Sequence, residues 1–299
     1  IGPTAREVVL IIDTSGSMGG ASIIQAKAAL LHALDSLSED DYFNLIQFNS
    51  DTELLFDQSV PVTDANLYLA HKFIAGLEAN GGTDMAPALH QALALPEITH
   101  LMRQVVFVTD GSVGNETELL KQVAVELDRS RMFTVAIGSA PNSWFMRKAA
   151  EIGRGSHVHI AKPEEVGERM SSLWQRIELP ALTDICVDWG EPAEFYPEIV
   201  PDLYAGQPLW LIARLPATPT AIELCGMLNE HEWRDTVFGW QAVHSLEGGD
   251  NLAKLWAKRK VESLQDSLLF GADPELTRLQ ITEVALDYGL LTPYTSLVA

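Results

Sequence analysis

Residues 8–20 read Val8-Val9-Leu10-Ile11-Ile12-Asp13-Thr14-Ser15-Gly16-Ser17-Met18-Gly19-Gly20, five apolar residues running straight into a carboxylate, hydroxyls and glycines. An apolar run with no polar alternation predicts a strand buried on both faces, which needs helices on both sides. A helical stretch follows at Ser22–Leu37, with Ile23, Ile24, Ala28, Leu31 and Leu34 on one broad face. Strand, polar turn and helix in this order open a doubly wound sheet, and such sheets bind ligands at the carboxyl ends of their strands.

The alternation continues to about residue 180. Tyr42–Phe48, Val105–Thr109, Phe133–Ile137 and His157–Ile160 read as further strands, and Ala65–Leu77, Met85–Leu95, Glu116–Arg129, Ser143–Ile152 and Pro163–Ile177 as helices. Pro163 followed by Glu164 and Glu165 is a favourable helix opening, since proline fits the first position and carboxylates suit the positive end. Residues 1–180 are therefore expected to form an α/β domain with a doubly wound, mostly parallel, Rossmann-like sheet.

After Leu179-Pro180 the helical period is lost. Asp184–Trp189, Leu209–Leu215, Ala221–Leu228 and Glu232–Trp240 predict an antiparallel, β-sandwich-like unit over residues 181–249. The period returns at Asp250 with Leu252, Leu255, Trp256, Leu264 and Leu268, and a second helix opens at Asp273-Pro274-Glu275. This predicts a helical hairpin over residues 250–289, stopped by Gly289, and an extended segment or strand over 290–299 that joins the β unit.

Composition narrows the functions. Twenty Lys and Arg against 41 Asp and Glu give a net charge of −21, with 47% apolar residues. The apolar share excludes disorder of the whole chain, and the charge argues against nucleic acid and anionic membrane surfaces as partners. No stretch approaches the ~18–20 continuous apolar residues of a membrane helix. The start at Ile1, without a basic and then apolar leader, suggests a processed form or an excised fragment. Cys186 and Cys225 leave open one disulfide or two buried thiols.

Three strand-end or loop segments carry candidate chemistry. The first strand delivers Asp13, Ser15 and Ser17; the loop Asn80-Gly81-Gly82-Thr83 offers the Thr83 hydroxyl; and Val105–Thr109 delivers Asp110. Five oxygen donors at one sheet edge suit a hard cation, Mg²⁺ first, with Mn²⁺ or Ca²⁺ as alternatives. With no thiolate or imidazole in these loops, zinc and copper fit poorly. Neutral hydroxyls and at most two carboxylates leave the ion electrophilic, able to accept an anionic oxygen from outside.

Enzyme chemistry fits less well. Asp13-Thr14-Ser15-Gly16 looks like the catalytic turn of an aspartic protease, but that mechanism needs a second such turn, and the chain has none. A phosphotransferase of the D-x-D-x-T kind would want an aspartate where Ser15 stands. His157 and His159 are expected to be surface or packing residues, and Lys254, Lys258, Arg259 and Lys260 a solvated face.

Asp13-x-Ser15-x-Ser17, Gly82-Thr83-Asp84 and Thr109-Asp110-Gly111 resemble, in order and spacing, the metal-ion-dependent adhesion site of von Willebrand factor type A domains. The resemblance implies a non-enzymatic binding module. In it the serines and the threonine hold the metal directly or through water, the aspartates often through water, and a Glu or Asp of a protein partner completes the shell. The segments 40–48, 203–208, 255–257 and 291–299 are similar to the inter-alpha-trypsin inhibitor heavy chain group, and within it to bacterial sortase-target surface proteins of marine proteobacteria. That implies a VIT domain before Ile1, a sorting signal after Ala299 and an extracellular or cell-surface setting. The runner-up reading is a structural spacer of a larger surface protein, with a metal that only stabilises its loops.

Overall fold

The computed structural model describes residues 4–111, 114–138, 141–178, 181–204, 206–228, 231–238 and 249–296. The chain divides into two compact units, residues 1–180 and 181–299. The first contains β1 (Arg6–Asp13), α1 (Ala21–Asp35), β2 (Tyr42–Phe48), β3 (Thr52–Leu54), β4 (Val60–Pro61), α2 (Asp64–Gly76) and α3 (Met85–Leu93). It continues with β5 (Met102–Thr109), α4 (Glu116–Glu126), β6 (Arg131–Ile137), α5 (Ser143–Ile152), β7 (Arg154–Ile160) and α6 (Val166–Ile177).

The sheet order is β3-β2-β1-β5-β6-β7, with β4 also paired to β2. Strands β2, β1, β5, β6 and β7 run parallel, and only the short β3 and β4 are antiparallel. Every residue of β1 is buried, as its unbroken apolar run requires. On one side α1 packs on α2 and α6, and on the other α4 packs on α3 and α5. The rings of Phe48 and Phe107 stack in the core at 5.6 Å. Caps fix the helix starts: the Thr63 and Asn142 side chains accept from the amides of Asn66 and Phe145.

The second unit holds β8 (Leu182–Asp188), β9 (Glu194–Tyr196), β10 (Ile212–Arg214), β11 (Ala221–Leu228), β12 (His231–Phe238), α7 (Gly249–Ser267) and α8 (Pro274–Tyr288). Its strands do not make one sheet. β12, β11 and β8 form an antiparallel sheet, while β9 and β10 pair separately. Pro208, Pro216 and Pro219 bracket β10 and remove backbone donors that a longer ladder would need. The β9–β10 ribbon instead joins the α7–α8 hairpin, with Tyr196, Trp256, Ala257, Val261, Ile281 and Val284 in a common core.

Three expectations are corrected or resolved here. Lys260 is no merely solvated residue: it pairs with Glu194 at 2.6 Å and lies over the Trp256 ring. Residues 290–296 do not extend into a ladder with the β unit but turn back through a Thr292–Thr295 bridge; residues 297–299 lie outside the described residues. Cys186 and Cys225, opposite each other on β8 and β11, form a disulfide with Cα atoms 5.1 Å apart. The expected continuation of β12 through Trp240 also falls partly outside the described residues.

Candidate metal centre

Asp13 ends β1 with a fully buried side chain. Both its oxygens are held: the Ser15 amide donates to Oδ1 at 2.8 Å, and the Thr109 hydroxyl, from the end of β5, donates to Oδ2 at 2.6 Å. A 3-10 turn over Gly16–Met18 follows, anchored by the buried Met18. It brings the hydroxyls of Ser15, buried, and Ser17, exposed, to 3.0 Å of each other.

The neighbouring loop is fastened to this turn by its backbone. The Asn80 amide donates to the Thr14 carbonyl at 2.8 Å, and Gly16 N–H donates to the Gly81 carbonyl at 3.1 Å. Gly81 has φ of +73°, and a side chain on Gly16 would press on the Gly81 oxygen, so both glycines serve the close approach. The Ser50 hydroxyl accepts from Gly82 N–H, and the Asp84 amide donates to the Asn49 carbonyl. The residues on either side of the exposed Thr83 are thereby fixed in the loop that meets the Asp13–Ser17 turn. Asp84 sits at the N-cap of α3.

Asp110 follows β5 and is half-buried, and its carbonyl accepts from the Asn142 amide at 3.0 Å. Its carboxylate lies near enough to Asp13 for their charges to repel. Burial raises the pKa of Asp13; the bonds from Ser15 and Thr109 pull it back, and Asp110 adds to the rise. Among the described residues no cationic side chain partners Asp13.

The donor set fits a hard divalent ion. A buried carboxylate pushed toward protonation by burial and by a second acid is what a cation relieves. Octahedral oxygens at ~2.0–2.1 Å from Mg²⁺ stand about 2.9 Å apart, close to the 3.0 Å between the Ser15 and Ser17 hydroxyls. Among the described residues no group of three or more His, Cys, Asp and Glu converges as a metal cage, so any such site depends on hydroxyls. Three supporting contacts escape a reading of the sequence: that of Thr109, at the end of β5, with Asp13; that of Ser50, in a turn remote in sequence, with Gly82; and that of Asn142, which only folding brings to Asp110. The one signal for Thr109 was its place just before Asp110.

A mostly parallel sheet with helices on both faces, carrying hydroxyls and carboxylates on converging strand-end loops, defines an α/β ligand-binding module. The chain belongs to the von Willebrand factor type A domain family, which it matches over residues 6–158, from β1 into β7. A von Willebrand factor A domain-containing protein of Dictyostelium discoideum is 29% identical over 231 residues, covering 75% of this chain and 24% of that protein. Inter-alpha-trypsin inhibitor heavy chain H3 of Bos taurus is 25% identical over 323 residues, covering 98% of this chain and 36% of that one. The chain thus spans about a quarter to a third of these relatives. Among solved structures, a von Willebrand factor type A protein from Catenulispora acidiphila shares the fold with a TM-score of 0.64 at 15% identity, over 96% of this chain and 80% of that one.

Proposed function

We propose that this protein-interaction module works through a divalent cation, Mg²⁺ in the first instance, held by Asp13, Ser15, Ser17, Thr83 and Asp110. The bound ion would supply an electrophilic position for a carboxylate oxygen from a Glu or Asp of a protein partner. The observation that carries this reading is Asp13: a fully buried carboxyl group at the end of a strand, next to two clustered hydroxyls and without a cationic partner among the described residues. Because hydroxyls supply most of the donors, the ion keeps most of its charge for the incoming group.

We place the protein outside the cytosol or on the cell surface. The Cys186–Cys225 disulfide supports that setting, since such bonds persist where the environment is oxidising. The three loops contain no His or Cys to form a nucleophile–base pair, which supports binding over catalysis.

Titration calorimetry with MgCl₂ tests the site. Heat of binding that disappears in Asp13→Ala supports it, and no Mg²⁺ binding by the wild type refutes it. A peptide array with Glu and Asp at varied positions, probed in Mg²⁺ and in EDTA, tests the carboxylate. Metal binding that stabilises the protein without any EDTA-sensitive peptide capture would identify a spacer instead.

A further inference from the structure

At the amino-terminal end of the central strands, opposite the end that bears Asp13, Glu7 on β1 stands directly beside Arg103 on β5. Both are buried, at 1% and 7% exposure, and Arg103 Nε donates to Glu7 Oε2 at 2.8 Å. The other Glu7 oxygen accepts from the Ser59 hydroxyl at 2.6 Å. The two terminal nitrogens of Arg103 reach the carbonyls of Ala92, Leu93, Leu95 and Pro96 at 2.8–3.5 Å. These belong to the last turn of α3 and the chain just after it, where helix carbonyls lack internal partners.

One guanidinium therefore joins β1, β5 and α3. The opposite ends of those same three elements carry the candidate metal residues: β1 ends in Asp13, β5 leads into Asp110, and α3 starts two residues after Thr83. Glu7 precedes Asp13, and Arg103 precedes Thr109, by the same six residues, about 20 Å of strand at ~3.3 Å per residue. A buried ion pair is a poor device for stability, because apolar residues of equal volume serve as well or better. Its particular property is geometry: the planar fork fixes a direction that an ammonium does not.

We propose that Arg103, oriented by Glu7, is a positioning residue for the metal loop. It sets how far α3 slides along β1 and β5, and so whether Thr83 stands within reach of the ion shared by Asp13 and Asp110. The proposal rests on the metal-binding reading above, and its test separates the two.

Arg103→Met, Arg103→Lys and Glu7→Gln are compared with Leu173→Ala, which empties a buried site on α6, an element that Arg103 does not bond. Circular dichroism selects the folded variants, with Arg103→Lys retaining the charge should Arg103→Met fail to fold. Mg²⁺ affinity should fall about 10- to 100-fold in Arg103→Met, as for losses in the supporting shell of metal sites, less in Arg103→Lys, and stay at the wild-type level in Leu173→Ala. In metal-free protein, amide exchange over residues 83–86 should quicken in the Arg103 variants and not in Leu173→Ala. Exchange unchanged in a folded Arg103 variant, or quickened equally in Leu173→Ala, overturns the clamp. A wild type that binds no Mg²⁺ sinks the metal reading, while the exchange comparison still decides the clamp.

Discussion

The hydroxyl of Thr109, at the last position of β5, donates to Asp13 Oδ2 at 2.6 Å while accepting from the Gly111 amide at 2.9 Å. One buried side chain thus ties the end of β1 to the turn that bears Asp110. Thr109→Val leaves that amide and one Asp13 oxygen unpaired, at a cost of about 1–3 kcal/mol. It should also weaken Mg²⁺ binding about 10- to 100-fold. Thr14→Val is the control, since Thr14 is equally buried but donates to the Phe48 carbonyl instead. Equal loss of affinity in both variants, measured by calorimetry, would reduce Thr109 to a general packing residue.

Acid should oppose the metal more strongly than an ordinary exposed aspartate would allow. Burial, aided by Asp110, holds the Asp13 pKa above its ordinary value in the folded protein. A raised acid contributes stability below its unfolded pKa and loses it as pH rises through the folded one. Metal-free protein should therefore lose stability over that window, and Mg²⁺ should restore it above the window by removing the uncompensated charge. Within the window binding should release a proton, seen as a dependence of the binding heat on the buffer's ionisation enthalpy. Affinity that stays flat as the pH is lowered from neutral into the carboxylate range would refute the coupling.

The legibility of this molecule in its sequence follows physical range. The five apolar residues before Asp13 marked β1 because burial on both faces leaves a local signature, and the glycines of 16–20 and 81–82 marked the loops. What those glycines do, letting the Gly16 amide reach the Gly81 carbonyl, requires two segments 65 residues apart and has no local trace. Glu7 and Arg103 lie just outside the apolar runs that predict strands at 8–12 and 105–109, and nothing local pairs them, yet the fold buries them together. β10 looked like a member of the larger antiparallel unit because strand propensity does not name a partner.

Saturating metal should act as a thermal stabiliser. At a free concentration of 100 times the dissociation constant, binding to the folded state alone contributes about 2.7 kcal/mol. For a unit of this size each kcal/mol moves Tm by roughly 2–4 °C, so a rise of some ~5–10 °C is expected. Asp13→Asn should remove the Mg²⁺-dependent rise and leave the metal-free Tm at or above the wild-type value, since it removes a buried acid whose ionised form burial disfavours. A metal-free Tm that drops by many degrees in Asp13→Asn would mean that the carboxylate is structural in its own right.

In the second unit Trp256 is the centre of the hairpin core. It is 4% exposed, its indole N–H donates to the Glu194 carbonyl at 3.0 Å, and Arg214 and Lys260 lie over its ring. Trp256→Ala should cost about 3–5 kcal/mol. Lys260→Met should cost under about 1 kcal/mol, because its pair with Glu194 is partly solvated. Burial tends to raise the Glu194 pKa, but Lys260, Tyr196 and Arg214 hold it below its ordinary value. That stability is present above the unfolded pKa and fades as pH falls through the folded one, so Lys260→Met should flatten the acid side of the denaturation profile. An unaltered acid limb would mean that the pair contributes nothing measurable.

Cys186 and Cys225 close a loop with a sequence separation of 39 between adjacent strands, beside a bulge at Gly226 where a Cβ would meet the Thr183 carbonyl at 2.9 Å. The chain-entropy relation assigns such a loop about 3–4 kcal/mol. Because Cys186 is exposed, a soluble phosphine can reach the bond without prior unfolding. Denaturant titration should therefore show a lower midpoint in TCEP for the wild type and no TCEP effect in the Cys186→Ser, Cys225→Ser double variant. Mass spectrometry after maleimide treatment should find no alkylated cysteine in the non-reduced protein. Two labelled thiols in protein isolated under non-reducing conditions would remove both the cross-link and the support it gives to an oxidising compartment.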